Sequence, residues 1–394
     1  MTTDRATYRR YIAAFNITDS KAAFESGYYV PLPDSVANRI RARAEIQPEV
    51  AQAIVGGIGL GKTTQLFAAA QALRSSDDLE PRYVDVSAIH NLAKLRPSLL
   101  LTLVGLELIE LVKQELEATR GSNTPLGRAA QRINDNANGH WEDYDPGYPD
   151  EEPVQWMPGV IQEPEPIASE VAWIEDEVKE LLSRFDKRLV VLFDGLDRVH
   201  DLKQLIVVLS QDLRALKRLG IGSVIALPEQ MLFGTERAFL EQLEWHALTA
   251  FDVDQNSSSA QLFADVIARR TPEGLLDTAA TKRLVSSSGG VFRDLVVLAR
   301  SAGEEAYMAG APTIDLRFVK HAADRFGRKR LLGLSKDQLA VLQRVRKNGS
   351  FVETNDSDIA LLASGCILQY ARPNSRFEVH PTLSSLLKEL ERAA

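Results

Sequence analysis

The sequence is poor in the features that mark several protein classes. Its 394 residues include one cysteine, Cys366. An internal disulfide framework is therefore excluded, and a reducing cytoplasm is the expected setting. No uninterrupted apolar run approaches the roughly 20 residues that cross a bilayer. The richest stretch, Leu99–Val112, is interrupted by Glu107 and Glu110. The opening MTTDRATYRR lacks the apolar core of a secretory signal. Six histidines and one cysteine fall at no metal-ligand spacing, so no zinc site is expected. No G-x-S-x-G nucleophile motif appears. A formal net charge of −8 gives no global drive toward nucleic acid.

What is present is an ordinary globular composition, 45% apolar and 25% charged, in a chain long enough for two or three domains. The charge is uneven. From Thr313 onward there are 14 Lys and Arg against 9 Asp and Glu, a local +5; the remainder carries −13. Residues 121–170 hold 10 acids, 2 bases and 7 of the 17 prolines. That mixture disfavours a packed core, so 121–166 reads as a long, largely irregular acidic insertion. Its rings, Trp141, Tyr144, Tyr148 and Trp156, suit either local packing or docking on a partner.

The strongest motif is Gly56-Gly57-Ile58-Gly59-Leu60-Gly61-Lys62-Thr63, which fits G-x-x-x-x-G-K-[ST]. The apolar run Ala51–Val55 precedes it. Leu66, Phe67, Ala70 and Leu73 follow at helical spacing. Strand, glycine loop and helix is the order a phosphate cradle needs. Glycines let successive N–H groups turn inward, and the helix N-terminus adds partial positive charge. Lys62 is expected on the β- and γ-phosphates and the Thr63 hydroxyl on Mg²⁺. Gly56, Gly57, Gly59, Gly61, Lys62, Thr63 and Thr64 form the expected nucleotide contacts. The plainer alternative is a glycine-rich turn before an ordinary helix.

A second apolar run, Leu189–Phe193, ends in Asp194. It reads as a parallel strand buried on both faces, with Asp194 at its carboxyl end where ligands of open α/β sheets bind. Asp194 is the expected Mg²⁺ partner. Asp197 is the candidate that orients or deprotonates water; its alternative is a helix N-cap. Arg198 suits a phosphate, a neighbouring subunit or a nearby acid. Arg82–Val86, Ile221–Leu227 and Trp245–Val253 complete the expected strands. Leu205, Val208, Leu209, Leu213 and Leu216 mark an amphipathic helix. The alternation specifies an α/β class: a three-layer P-loop NTPase core with a parallel sheet. No [NT]-K-x-D guanine motif is present, so ATP is the expected nucleotide.

GGIGLGKTTQL followed by VVLFDGLDRV resembles the STAND and origin-recognition-type branch of the AAA+ ATPases. The resemblance implies a helical lid after the core, and Ser288-Gly289-Gly290-Val291-Phe292-Arg293-Asp294-Leu295 is similar to its sensor-2 helix. Arg293 then senses the γ-phosphate; the alternative is a surface arginine paired with Asp294 or another acid. By position alone, Arg237 matches a trans-acting arginine finger. At the sensor-1 position the sequence has Pro228-Glu229-Gln230 instead of Asn, Thr or Ser, which points to a slow switch. Tyr29 and Val30, in the stretch before the phosphate loop, suit either the adenine pocket or simple core packing.

Ser335–Lys347, Asp356–Ala363, the strand candidates Cys366–Tyr370 and Arg376–His380, and Thr382–Arg392 give helix, helix, hairpin, helix. This resembles the C-terminal winged helix of bacterial STAND ATPases. Asp356–Ala363 carries two acids and no base, which favours protein docking over DNA readout. His380 reads as a packed structural residue. The expected layout is an N-terminal segment 1–45 packing on the ATPase core, the core 46–255, a lid 256–328 and a winged helix 329–394.

The resulting expectation is a Mg²⁺-dependent ATPase switch that acts through a protein partner or effector chain, with no membrane association. A role in phage defence is compatible with the resemblance. A DNA-associated loader and a nucleotide-stabilised scaffold with little turnover are the alternatives, and homo-oligomerisation is left open.

Overall fold

The computed structural model describes residues 4–16, 20–32, 35–118, 123–138, 171–352, 355–371 and 375–393. The chain forms two compact units. One contains Val36–Val55 and Gln65–His246; the other contains Met1–Ser35, Gly56–Thr64 and Ala247–Ala394.

The first unit is built on a parallel sheet of β1 (Ala51–Gly56), β2 (Leu79–Asp85), β3 (Arg188–Asp194), β4 (Gly222–Pro228) and β5 (Glu244–Leu248). The strand order is β2-β3-β4-β1-β5. β2 and β3 run in register from Leu79 opposite Arg188 to Asp85 opposite Asp194. β4 is buried throughout and β3 from Leu189 onward. Their continuous apolar sequence, without alternation, is what a strand covered on both faces requires. Gly222 permits close backbone approach, since a Cβ there would lie 2.0 Å from the Pro48 carbonyl oxygen. The α/β class and the parallel sheet agree with the sequence expectation. The last strand is shorter than expected, ending at Leu248 rather than Val253.

Helix Leu99–Leu111 is apolar on nearly every face and lies inside this core with helices Val171–Leu182 and Leu202–Arg218. Its first turn is held from outside. Asp212, fully buried, accepts the N–H groups of Ser98 (2.7 Å) and Leu100 (2.8 Å). Ser98 itself sits in the left-handed region at φ +75°.

The acidic stretch is less irregular than its composition suggests. Pro125–Asn138 is a helix, and Leu126, Ala129, Ala130, Ile133 and Ala137 bury one face of it in the core. Apolar residues at i, i+3 and i+4 outweigh the average polarity of the surrounding sequence. Gly105 of the buried helix makes room for Ile133, whose atoms would lie 2.7 Å from a Cβ. Residues 139–166, with the four rings noted above, lie outside the described residues.

The second unit has its own core, from helices Ser257–Ala268, Thr278–Ser287, Phe292–Met308 and Leu316–Leu331. Asn256, Asp277 and Asp315 cap the N-termini of the first, second and fourth. Helix Arg5–Ala14 belongs here, whereas residues 1–45 were expected on the ATPase core. Its Tyr8 and Tyr11 are buried, and their hydroxyls donate to the Ala311 and Ala299 carbonyls at 3.1 and 2.9 Å. Phenol rings need both an apolar groove and an acceptor. The small residues Ala299, Ala302 and Gly303 on Phe292–Met308 supply the groove. Of the N-terminal stretch, only Val36–Ile46 groups with the sheet.

The chain ends in helices Lys336–Asn348 and Asp356–Ala363, the antiparallel hairpin β6 (Ile367–Tyr370) and β7 (Arg376–Val379), and helix Pro381–Ala393. Ser335 and Gln338 form a capping box at the first of these helices, and left-handed Gly349 terminates it. Among the described residues, no helix is long and apolar enough to cross a membrane.

Candidate functional site

The phosphate motif forms a glycine turn between β1 and helix Lys62–Leu73. Gly59 (φ +85°) and Gly61 (φ +96°) occupy backbone that other residues rarely adopt. The Lys62 side chain is buried at the loop and its Nζ donates to the carbonyls of Gly56 (2.6 Å) and Gly57 (2.9 Å). Thr63 and Thr64 follow in the first helical turn, half-buried. Residues 56–64 thus combine a cation, hydroxyls and a helix N-terminus, the parts of an oxyanion cradle.

A second helix N-terminus faces this turn. The backbone N–H of Arg293 donates to the Gly59 carbonyl at 3.3 Å. A Cβ at Gly59 would stand 2.5 Å from the Arg293 Cβ, and the Phe292 ring lies 3.6 Å from the equivalent point at Gly61. Gly289 (φ +59°) and Gly290 (φ +73°) turn the chain into this helix. At Gly290 a side chain is impossible, because its Cβ would fall 1.8 Å from the Phe251 oxygen. The structure therefore brings Arg293 to the phosphate loop.

Asp294 is engaged elsewhere and is not the partner of Arg293. Buried Asp294 accepts from Arg330 at 2.7 Å, and its carboxylate is 3.2 Å from His380 Nε2. His380 is fully buried, in agreement with a packed structural role. Burial pushes the imidazole below its usual range, against the raising effect of Asp294.

The C-terminal hairpin also reaches the loop. Leu60, Ala250, Val291, Leu368 and Tyr370 form one small buried cluster, flanked by Leu248. The Tyr370 hydroxyl donates to the Gly289 carbonyl at 3.0 Å, and the Ala250 N–H donates to the Gln369 carbonyl at 2.9 Å. Arg376 pairs with the buried carboxylate of Asp252 and lies 4.5 Å over the Tyr370 ring. The carboxylate raises the Arg376 guanidinium further above its already high range.

In the sheet unit, Asp194 ends β3, buried. Its Oδ1 accepts the Gly195 N–H at 2.8 Å and its Oδ2 accepts the Tyr83 hydroxyl at 2.7 Å. Gly195 is left-handed (φ +85°) and abuts Ser87 and Asp85. Ser87 Oγ donates to Asp85 and accepts from Arg198 at 2.9 Å, so Arg198 is tied to a hydroxyl rather than to an acid. Asp197 lies half-buried in the 3-10 turn Leu196–Arg198. It is not the N-cap of the following helix, because Asp201 accepts the Gln204 N–H there. Glu229 is buried just beyond β4. Arg237 is exposed and within 3.5 Å of Glu241, one turn along.

Tyr83 was not found by sequence reasoning. It sits in a strand of mixed polarity and becomes a candidate only when β2 is known to pair with β3. The same holds for Asp252 with Arg376, 124 residues apart.

Among the described residues, no group of three His, Cys, Asp or Glu side chains could hold a metal by itself. A hydroxyl such as that of Thr63 and a carboxylate such as that of Asp194 are each hard-oxygen donors of the kind Mg²⁺ accepts, and Mg²⁺ takes few protein ligands.

No protein-family model matches the chain, and no curated protein does. Solved structures similar to it include the ORC2 protein of Aeropyrum pernix in ADPNP–ADP complexes, with TM-score 0.45, 13% identity, and coverage of 96% of this chain and 97% of that one. Drosophila ORC bound to DNA gives 0.46 at 12% identity, covering 99% and 92%. Domain III of the Thermotoga maritima replication initiation protein DnaA gives 0.41 at 13%, covering 76% and 95%. Likenesses with TM-scores below 0.5 carry no functional weight.

Proposed function

We propose that this protein is a Mg²⁺-dependent, slowly hydrolysing ATPase switch of the AAA+ class, in the STAND and origin-recognition-type branch. The contact that supports this best is the Arg293 N–H on the Gly59 carbonyl. It sets an arginine beside a turn whose Lys62, Thr63 and Thr64 suit a triphosphate. Arg293 reports whether the terminal phosphate is present, and the helix that carries it transmits the difference.

The roles follow from chemistry. Backbone N–H groups of Gly57–Thr64 and the Lys62 ammonium stabilise phosphate charge. Thr63 and Asp194 would hold Mg²⁺, which when bound neutralises charge on the phosphates. Asp197 positions the attacking water. Exposed Arg237 suits a contact in trans within a homo-oligomer. Buried Glu229 stands where a neutral hydrogen-bonding residue would speed hydrolysis, which supports slow turnover.

The C-terminal elements act as a winged helix that docks a protein partner, because the sequence of Asp356–Ala363 has no base to meet a phosphate backbone. The hairpin cluster around Leu60 supports a resting state in which that domain leans on the loop. The setting is cytoplasmic, and phage defence is a biological context compatible with the sequence resemblance. Single-turnover hydrolysis of ATP tests the reading. Asp197→Asn should retain nucleotide binding and lose at least about 100-fold in rate, within the range of acid–base assistance. Unchanged turnover would reassign the catalytic carboxylate.

A further inference from the structure

We propose that a second anion site, for a phosphorylated ligand, lies in the cavity where helix Arg5–Ala14 meets the end of helix Ser257–Ala268. The cavity has a volume of about 310 Å³ and is lined by Arg10, Ala13, Tyr28, Arg269, Arg270 and Pro272, among others. None of the lining residues belongs to the phosphate loop.

Three arginines line this cavity and no acid does. Among the described residues, none of them has a carboxylate partner within ion-pair distance. Arg270 Nη1 donates to the carbonyls of Tyr28 (3.0 Å) and Val266 (3.1 Å), and the group lies 5.0 Å from the Tyr28 ring centre. Its Nε is closed off from solvent and meets no acceptor. Arg269 Nη1 donates to the Tyr29 and Gly27 carbonyls. The two adjacent arginines thus fix the Gly27–Tyr29 turn with one edge and leave donors over. Arg10 makes no hydrogen bond to the described residues and stands exposed at the rim. Burial lowers the Arg270 pKa to about 10, and the charge of Arg269 pushes the same way. A bound anion relieves both effects.

Charge and shape choose the ligand class. A single carboxylate would leave two of the three cations uncompensated. A phosphate ester or pyrophosphate carries two or more charges and several oxygens, which match planar guanidinium forks. The Tyr28 ring, Ala13 and Pro272 give an apolar wall for the body of such a ligand.

The test uses the full-length chain carrying Lys62→Ala, so that the loop does not compete. Calorimetric titration at low salt compares pyrophosphate, inorganic phosphate and succinate. Pyrophosphate should bind most tightly. Arg10→Glu should weaken it at least about tenfold, as expected for replacing a charge-assisted contact by repulsion, with the circular-dichroism spectrum unchanged. Arg10→Lys should recover part of the loss. Absence of pyrophosphate binding, or equal binding by Arg10→Glu, overturns the site. Succinate binding as tightly as pyrophosphate overturns the phosphate assignment.

Discussion

Gly59 concentrates the argument at the scale of one residue. Its positive φ excludes most side chains, and any Cβ would collide with Arg293. The same hydrogen atom in place of a side chain therefore serves the curl of the loop and the approach of helix Phe292–Met308. Tyr83 makes a comparable contribution at Asp194. Its hydroxyl fixes one carboxylate oxygen while Gly195 fixes the other. Were Asp194 to hold Mg²⁺ as proposed, partners of this kind would orient the carboxylate without touching the metal. Tyr83→Phe should leave metal-free nucleotide binding unchanged and raise the Mg²⁺ concentration needed for tight ATP binding roughly tenfold. A Mg²⁺ titration with a fluorescent ATP analogue checks this, and an unshifted midpoint removes Tyr83 from the site.

Among the elements, helix Leu99–Leu111 depends on a titratable group. Burial raises the Asp212 pKa to about 7 although two N–H groups lower it. The folded state binds this proton more tightly than the unfolded chain does. The group's contribution is thus fully present below its ordinary value near 3.8 and is lost as pH rises toward 7. Urea midpoints between pH 5 and 8 should fall with pH in the native protein, and that part of the slope should vanish in Asp212→Asn. An identical slope in both proteins would show that Asp212 does not titrate there.

The elements also show what a sequence can carry. The phosphate loop was legible because its chemistry is local: Gly59, Gly61, Lys62 and Thr63 are neighbours whose spacing encodes their geometry. Asp194 was legible as the acid that ends a doubly buried strand. Helix Asp356–Ala363 was bounded correctly because Asn355 caps it and Gly365 stops the chain beyond it. Pro125–Asn138 was obscured by the prolines and acids around it, since composition averages over a helix that buries only one face. The packing of Tyr8 and Tyr11 on residues about 300 positions away has no local signature. Nor does Tyr83, whose role depends on strand order.

Across the larger structure, the C-terminal hairpin packs on the glycine turn through Leu60, Leu368 and Tyr370. Arg376 and Asp252 anchor it, and Asp252 is buried. Removing one member of such a pair leaves an uncompensated charge and costs about 3–5 kcal/mol. Arg376→Ala should therefore loosen the hairpin and speed release of bound ADP roughly tenfold or more. Stopped-flow displacement of a fluorescent ADP measures it. An unchanged release rate would separate the hairpin from the switch.

The proposed function requires that the turn at Gly56–Thr64 bind a nucleoside triphosphate through Lys62. Equilibrium binding of ATP with Mg²⁺, measured side by side on the native protein and on folded Lys62→Ala, tests it most directly. The account predicts saturable binding to the native protein and a loss of about 100-fold or more in the variant, the effect of deleting a charge-assisted phosphate contact at a partly buried site. Equal affinity in both proteins, or no affinity for ATP in the native one, would contradict it.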